Sequence, residues 1–273
     1  MCATCGCGSE EGGVKILAPG QEHDHDHHHS HHHHHHDHGH EHHHDHGDHH
    51  HHEKTLIEVE QDVLNANQML AERNRGYFEA MNITAINLVS SPGSGKTALL
   101  EATLKSLKSE LEIAVIEGDQ QTTNDADRIN AFGIPVIQIN TGKGCHLDSE
   151  MVHKAYKQMK LRQDSILMIE NVGNLVCPAM FDLGEKHRVV MISTTEGDDK
   201  PIKYPDMFAE SDICIINKID LLPYVHFDVE RAKDYARRIN PNLKFFEVSA
   251  TTNEGMDQWY EWLKSRIAEP ETV

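Results

Sequence analysis

Residues 90–97 are the part of this sequence that most constrains its fold. They read Ser90-Ser91-Pro92-Gly93-Ser94-Gly95-Lys96-Thr97 and lie between an apolar, β-rich run, residues 83–90, and a helix-forming run, residues 98–107. A strand, a glycine-rich turn and a helix form the context of a phosphate-binding loop, because backbone N–H groups and the helix N-terminus favour anions. Lys96 then reaches the outer phosphates and the Thr97 hydroxyl can ligate Mg²⁺. Ser90 departs from the pattern, since such loops usually begin with glycine. The predicted nucleotide contacts here are Gly93, Ser94, Gly95, Lys96, Thr97 and Ala98.

The rest of the chain alternates short apolar runs with segments of helical length, after an amphipathic helix predicted at residues 55–75. Continuous apolar strands separated by helices are typical of a parallel sheet that is covered on both faces. The sequence therefore predicts an α/β fold with a mostly parallel, seven-stranded sheet. The six runs that join residues 83–90 are 113–117, 135–139, 165–170, 189–193, 213–216 and 244–248.

Two short motifs at predicted strand ends indicate which base is bound. Asn217-Lys218-Ile219-Asp220 follows the strand at 213–216, and Ser249-Ala250 follows the strand at 244–248. A carboxylate at Asp220 can accept hydrogen bonds from both N1–H and the exocyclic amine of guanine, whereas adenine offers no such pair of donors. Taken alone, the first motif is also typical of an ordinary turn. In order with the phosphate loop, the two motifs predict a GTP site with contacts from Asn217, Lys218, Asp220, Ser249 and Ala250.

Acidic residues follow two other strands, where Mg²⁺ and the γ-phosphate are expected. Asp119 is the candidate for a Mg²⁺ contact, direct or through water. Glu170 and Gly173 take the position of a switch that senses the γ-phosphate. We therefore assign catalytic roles to Lys96, Thr97, Asp119 and Glu170, although each acid is also compatible with a simple helix cap.

The N-terminal fifth has a different composition. Of the 25 histidines, 21 lie between His23 and His52, in a window that otherwise holds only Asp, Glu, Gly and Ser. Such a window cannot bury enough apolar area to offset chain entropy, so residues 1–54 are predicted to be disordered. The globular domain is expected at residues 55–268, with a flexible tail at 269–273.

Three features can bind a borderline transition metal. The first is a set of three thiols within six residues, Cys2, Cys5 and Cys7, and the second is the histidine tract. The third pairs Cys145-His146, after the third predicted strand, with Cys177, four residues beyond Gly173. If both loops leave the same sheet edge, these three ligands converge beside the switch. The alternative is a pair of buried structural cysteines with a surface histidine. Cys214, inside an apolar run, is assigned to the core.

Charge and hydropathy indicate which partners and which cellular location to expect. The formal charge of −19 argues against nucleic acid as a partner. No apolar run approaches membrane-spanning length, and the N-terminus lacks the pattern of a signal peptide. The sequence predicts a cytoplasmic protein without a membrane partner, whose cysteines serve as ligands or buried thiols rather than disulfides.

Together these residues resemble the HypB family of hydrogenase nickel-incorporation GTPases. The resemblance implies a GTPase domain of the SIMIBI class that dimerises on binding GTP, with Cys145, His146 and Cys177 at the dimer interface. It also implies a terminal nickel site at Cys2, Cys5 and Cys7, and it makes Ser90 an ordinary residue of the loop. The implied partners are a HypA-type nickel and zinc protein and the precursor of the hydrogenase large subunit. The motifs that carry the resemblance are CATCGCG, SSPGSGKT, IEGDQQTTNDADRI, GKGCHLD, ENVGNLVCP, NKID and VSAT.

The resulting hypothesis is a GTP-hydrolysing nickel chaperone for [NiFe]-hydrogenase assembly, with metal binding coupled to the GTP/GDP state. One alternative is a urease-type nickel-insertion GTPase, whose family carries a Cys-Pro-His motif that is absent here. Another is a nickel store with a vestigial nucleotide site. Sequence leaves nickel and zinc open at Cys145, His146 and Cys177, because thiolates and imidazoles suit both ions.

Overall fold

A computed structural model describes residues 14–18, 55–120 and 124–268 of the chain. Within these ranges it contains eight strands, nine α-helices and one 3₁₀ helix. The strands are β1 (Lys15–Leu17), β2 (Thr84–Ser90), β3 (Ile113–Asp119), β4 (Val136–Asn140), β5 (Ile166–Glu170), β6 (His187–Ser193), β7 (Ile213–Asn217) and β8 (Lys244–Glu247). The helices are α1 (Leu56–Ala80), α2 (Lys96–Leu107), α3 (Asn124–Asn130), α4 (Ser149–Gln158), α5 (Cys177–Met180), α6 (Lys200–Lys203), α7 (Pro205–Ala209), α8 (Val229–Ile239) and α9 (Met256–Ala268), with the 3₁₀ helix at Ile219–Tyr224.

All eight strands belong to one sheet in the order β1-β4-β3-β5-β2-β6-β7-β8. Strands β2 to β8 are mutually parallel, and β1 pairs antiparallel with the edge strand β4. The predicted α/β fold with a mostly parallel sheet is confirmed. Because the seven predicted strands all run parallel, the loops that follow them leave from one edge of the sheet, which we call the carboxyl edge.

Side chains alternate between two apolar layers, as the two-residue period of a strand requires. In β2, for example, Ile86 and Leu88 face the layer formed with α2, α3 and α9, whereas Ala85 and Val89 face the opposite side. That opposite side is covered by α1 and α4 over one half of the sheet and by α7 and α8 over the other. Helices therefore cover both faces, as the continuous apolar strands predicted.

Helix α1 begins at a capping box. The Thr55 hydroxyl accepts from the Glu58 backbone N–H, and the Glu58 carboxylate accepts from the Thr55 N–H at 2.7 Å. The helix continues to Ala80, past the predicted end at residue 75, because Tyr77 stacks on Tyr156 of α4 with ring centroids 4.8 Å apart. None of the described helices, α1 included, has the length and apolar character that a membrane crossing requires.

The sequence predicted seven strands, whereas the described residues form eight. The additional strand lies inside the segment predicted to be disordered. Residues 15–17 form β1, since Ile16 and Ala18 pack against the apolar layer below β4 while the backbone pairs with that strand. Three residues are too few to show the alternation of apolar and polar side chains that marks a strand, so the sequence did not reveal β1. The rest of the predicted disordered segment, and the tail at 269–273, lie outside the described residues.

Candidate functional site

The phosphate loop joins the last residue of β2 to the first residue of α2. Gly93 and Gly95 have φ angles of 78° and 98°, a region that only glycine adopts readily. The Lys96 ammonium donates to the Ser90 hydroxyl at 2.8 Å, inside the curve of the loop. Ser90 therefore has a structural task at the position where other loops have glycine, because its oxygen holds the lysine within the loop.

Residues at the end of β7 donate hydrogen bonds to backbone carbonyls of the phosphate loop. The Asn217 amide donates to the Ser94 carbonyl at 2.9 Å, and the Lys218 ammonium donates to the Gly93 carbonyl at 2.7 Å. Gly95 lies so close that an added Cβ would approach the Asn217 amide nitrogen to 2.6 Å. The motif predicted to select the base is thus bonded directly to the loop predicted to bind phosphate.

The predicted base contacts lie at the ends of two neighbouring strands, β7 and β8. The Ala250 N–H donates to the Asn217 side-chain oxygen at 3.2 Å, which fixes Ser249-Ala250 beside the first motif. Lys218 adopts a left-handed conformation that turns the chain into the 3₁₀ helix, and Asp220 lies in the first turn of that helix. The arrangement brings the predicted residues together, and the role of Asp220 stays a prediction.

Two buried carboxylates lie side by side below the start of α2. Glu117 of β3 and Glu170 of β5 are partners in the parallel register, so their side chains point to the same side. The Thr97 hydroxyl donates to Glu170 at 3.0 Å. Glu170 was predicted as a switch residue, whereas Glu117, in the same acidic run as Asp119, was given no role of its own. Its position two residues before Asp119, on the same face of β3, was a weak sequence signal, and its register with Glu170 is what places it in the site.

Burial changes the acidity of this pair. Burial raises the pKa of Glu117 well above its ordinary value, and the neighbouring Glu170 raises it further. Burial also raises the pKa of Glu170, while Lys96 opposes that change. Among the described residues, neither side chain has a hydrogen-bond partner for its second buried oxygen, Oε2.

Such orphaned carboxylate oxygens beside a threonine hydroxyl fit a hard divalent cation, since Mg²⁺ prefers oxygen ligands. Glu117, Glu170 and Thr97 are therefore the residues that this geometry offers to Mg²⁺. The predicted ligand Asp119 is half-buried at the end of β3, and its backbone oxygen accepts from the Thr141 N–H at 2.9 Å. Its role as a Mg²⁺ contact stays a prediction.

The segment after β5 touches the phosphate loop. A Cβ added to Gly173 would lie 3.1 Å from the Cα of Pro92, so the backbones of the predicted switch and of the loop are in close contact. Any group that displaces the loop near Pro92 must also displace Gly173. The role of Gly173 as a γ-phosphate sensor stays a prediction.

Cys145, His146 and Cys177 converge, as predicted from the shared sheet edge. The two thiol sulfurs are 2.9 Å apart, and the Cys145 sulfur is 3.7 Å from Nδ1 of His146. All three ligand atoms lie within 4.8 Å of one another, and neither cysteine forms a disulfide. The His146 ring packs on Phe181 at 4.0 Å, and burial lowers its pKa, which favours the neutral imidazole that binds metals.

Hydrogen bonds from the switch segment hold the loop that carries Cys145. The Asn171 side-chain oxygen accepts from the backbone N–H groups of both Leu147 and Val172, each at 3.0 Å. The Asn174 amide donates to the Cys145 carbonyl at 3.4 Å. Sequence reasoning did not single out Asn171, because its importance depends on a partner 24 residues away.

The remaining metal predictions have different outcomes. Cys214 lies buried in β7, and burial raises its pKa, so its assignment to the core is confirmed. Cys2, Cys5, Cys7 and the histidine tract lie outside the described residues.

Comparison with known proteins shows that the chain is similar to hydrogenase maturation factors. Residues 84–247 match the model of the CobW/HypB/UreG nucleotide-binding domain. The hydrogenase maturation factor HypB of Escherichia coli K12 is 58% identical over 214 residues, which span 78% of this chain and 74% of the relative. The crystal structure of HypB from Archaeoglobus fulgidus is 41% identical and covers 74% of this chain and 99% of its own, with a TM-score of 0.70. HypB from Helicobacter pylori, solved in complex with nickel, is 35% identical and covers 74% and 95%, with a TM-score of 0.71.

Proposed function

The chain belongs to the HypB family of hydrogenase maturation factors, and from this premise we propose that it is a GTP-hydrolysing nickel chaperone whose metal affinity depends on the bound nucleotide. The observation that carries the proposal is the joint position of Cys145 and Cys177. Their sulfurs meet at 2.9 Å on two loops, and one of these loops continues directly from the segment that touches the phosphate loop. Nickel is the cargo of this cycle.

Guanine recognition rests on Asp220, with Asn217, Lys218 and the Ser249-Ala250 pair as its support. Asn217 bonds both the phosphate loop and Ala250, so one side chain joins the base contacts to the phosphate contacts. A carboxylate at Asp220 accepts from the two guanine donors. GTP is therefore the expected substrate.

Hydrolysis rests on charge placed around the phosphates. Lys96 and the N-terminus of α2 neutralise the charge that develops on them. Thr97, Asp119, Glu117 and Glu170 would hold Mg²⁺, which supplies further neutralisation of the phosphate oxygens when it is bound. Within the described residues no side chain has a geometry that marks it as orienting the attacking water.

Coupling rests on the short path from Pro92 to the thiols. Loss of the γ-phosphate relaxes the contact of Gly173 with Pro92, and four residues further along the chain Cys177 opens α5. A ligand shifts such an equilibrium only by its differential affinity for the two states, so nickel must bind one nucleotide state more tightly. The nickel complex of the Helicobacter pylori relative supports nickel as the ion. Zn²⁺ suits the same ligands.

The wider setting follows from the family. We expect a homodimer in the GTP state, a HypA-type nickel and zinc protein as partner, and the hydrogenase large-subunit precursor as the final destination of the metal. We place this cycle in the cytoplasm. Cys2, Cys5 and Cys7 are expected to form a terminal nickel site.

Nickel titrations of the full chain with GDP and with a non-hydrolysable GTP analogue test the proposal. The wild type should show two different affinities at the Cys145 site. Cys177→Ser should remove the difference, whereas Cys214→Ala, which deletes a thiol from the core, should keep it.

Lys96→Ala should abolish GTP turnover, and Lys105→Ala on the exposed side of the same helix should not. Equal nickel affinities in the wild type would overturn the coupling, and full nickel capacity without any GTP turnover would indicate a nickel store instead.

A further inference from the structure

The carbonyl of Gly144, which belongs to the peptide bond just before Cys145, is held by two side chains. The Thr141 hydroxyl donates to this oxygen at 2.8 Å, and the Gln120 amide donates to it at 3.3 Å. Thr141 is buried and directly follows β4, whereas Gln120 directly follows β3. The orientation of the Cys145 ligand is therefore set in part from the end of β3, where the candidate Mg²⁺ contact Asp119 lies.

The Thr141 hydroxyl has a second acceptor within reach. Its oxygen lies 3.3 Å from the carbonyl oxygen of Asp119, which also accepts from the Thr141 backbone N–H at 2.9 Å. A threonine hydroxyl carries one proton, so it donates to only one of the two carbonyls at a time. Because both carbonyls are already within hydrogen-bonding distance, a small movement at the end of β3 is enough to change which of them receives the proton.

We propose that Thr141 is a positioning residue whose hydroxyl passes the state of the nucleotide site to the Cys145 ligand. In one state the hydroxyl holds the Gly144 carbonyl, as in the structure. In the other state it turns to the Asp119 carbonyl and releases the loop. The inference rests on the proposed function, since it needs nickel at the two thiols and a change at Asp119 that depends on the nucleotide.

The path from Asp119 to Cys145 consists of bonded and closely packed atoms. Asp119 and Asn140 are the last residues of β3 and β4 and are partners in the parallel register, so Thr141 is the first residue beyond this pair. A Cβ added to Gly144 would lie 3.2 Å from both the Cβ and the carbonyl oxygen of Thr141. The Gly144 N–H donates to that same oxygen at 2.9 Å, which closes a tight turn. A shift of Asp119 therefore reaches the peptide bond that precedes the ligand.

This route complements the contact of Gly173 with Pro92, because it ends on the other thiol. Cys177 follows the switch segment, whereas Cys145 follows Thr141, and the two sulfurs lie 2.9 Å apart. An ion bound by both thiolates requires a particular distance between them, since each metal–sulfur bond has a preferred length. Release of one loop changes that distance and lowers the affinity for the ion. The nucleotide state then acts on both ligand loops.

Nickel titrations of the full chain with Mg²⁺, in the presence of GDP or of a non-hydrolysable GTP analogue, test this role. Thr141→Val keeps the shape of the side chain and the backbone bond to Asp119 but removes the hydroxyl. The ratio of the two nickel affinities should shrink about threefold or more, while the affinity for the GTP analogue stays within about twofold of the wild type. Thr141→Ser keeps the hydroxyl and should retain the wild-type ratio.

Thr84→Val is the matched control, because it removes another buried threonine hydroxyl, which donates to the Arg266 carbonyl at the opposite sheet edge. It should leave the ratio unchanged. Gly144→Ala is a second variant of the proposed contact. Its added Cβ displaces the loop from Thr141, so this variant should also shrink the ratio. The nickel–thiolate charge-transfer absorption should differ between the two nucleotide states in the wild type and in Thr141→Ser, and the difference should disappear in Thr141→Val.

A Thr141→Val protein that keeps the wild-type ratio would overturn the role of the hydroxyl, and so would a Thr84→Val protein that loses the ratio to the same extent. Failure of the proposed function would look different. The wild type itself would then bind nickel equally in both nucleotide states, and the coupling and the role of Thr141 would both be overturned.

Discussion

The side-chain oxygen of Asn171 accepts a hydrogen bond from the backbone N–H of Leu147 at 3.0 Å, across 24 residues of sequence. The same oxygen accepts from Val172, at the start of the switch segment. Asn171 is buried, and its amide donates to Asn87 of β2. One side chain therefore joins the strand before the phosphate loop, the switch and the loop that bears Cys145 and His146.

Replacing this amide should uncouple nucleotide from metal. In Asn171→Ala the Leu147 N–H loses its buried partner, which costs about 1–3 kcal/mol and frees the metal loop from the switch. We expect the difference in nickel affinity between the GDP and GTP-analogue states to shrink, while GTP binding is kept. Isothermal titration in both states measures this. Ser165→Ala is the control, because it removes the hydrogen bond that the buried Ser165 hydroxyl donates to the Arg162 carbonyl at the opposite sheet edge. An unchanged difference would show that Asn171 carries no coupling.

Gly95 should be intolerant of any side chain. Its φ of 98° strains other residues, and an added Cβ would lie 2.6 Å from the Asn217 amide nitrogen. Gly95→Ala should therefore separate the base motif from the phosphate loop and weaken GTP binding at least tenfold, about 1.4 kcal/mol. Fluorescent nucleotide titration measures the loss.

Gly76→Ala is the matched control for that change. Gly76 lies within α1, and a Cβ added to it would meet no atom within 4 Å, so alanine should stabilise the helix by up to about 1 kcal/mol and leave nucleotide binding unchanged. Normal GTP affinity in Gly95→Ala would refute the proposed contact.

Local patterns predicted much of this molecule, and their success has a physical cause. The phosphate loop and the base motif depend on neighbours within a few residues, which the sequence displays directly. The convergence of Cys145 and Cys177 was also predictable, because parallel strands send all their following loops to one edge. Helix α1 continues past its predicted end at residue 75, since the stacking of Tyr77 on Tyr156 outweighs the low helix propensity of Gly76.

The features that were missed all depend on contacts across the sheet. Glu117 becomes part of the site only through its register with Glu170 on β5. Strand β1 has three residues, and its stability comes from the edge of β4 and the apolar layer rather than from its own sequence. Neither the strand order nor the register is fixed by one strand alone, so single-sequence reasoning could not find them.

Asp220→Asn should change the preferred base. Xanthine keeps the N1–H donor of guanine but presents a carbonyl where guanine has its exocyclic amine, and an asparagine amide matches this pair. The variant should lose GTP affinity and gain xanthosine triphosphate affinity, each by about 10- to 100-fold, as expected for one mismatched buried hydrogen bond. Competition binding measures both. Asp228→Asn at the N-cap of α8 retains its cap and should alter neither affinity. An Asp220→Asn protein with unchanged base preference would place the guanine contact elsewhere.

The ion pair of Asp182 with Arg75 should make stability depend on pH. Burial favours the neutral acid, but the Gly184 N–H and the Arg75 guanidinium, 2.5 Å away, prevail and lower the pKa of Asp182 below its ordinary value. A lowered pKa in the folded state contributes stability above the unfolded carboxyl pKa of about 3.9, and this contribution is lost as the pH falls through the folded value. Asp182→Asn should therefore reduce the free energy of unfolding by about 1–3 kcal/mol at pH 7, with the difference shrinking below about pH 4.

Urea denaturation across this pH range measures the effect, and the exposed pair of Asp234 with Arg238 provides the comparison. Because solvent screens that pair, Asp234→Asn should change stability by less than about 1 kcal/mol at pH 7. The contrast matters for function, since Asp182 follows α5 by only two residues and Arg75 belongs to α1. If Asp182→Asn lowered the free energy of unfolding equally at every pH, the charge of Asp182 would not be what holds the Cys177 segment against α1. The lost stability would then have to come from packing alone.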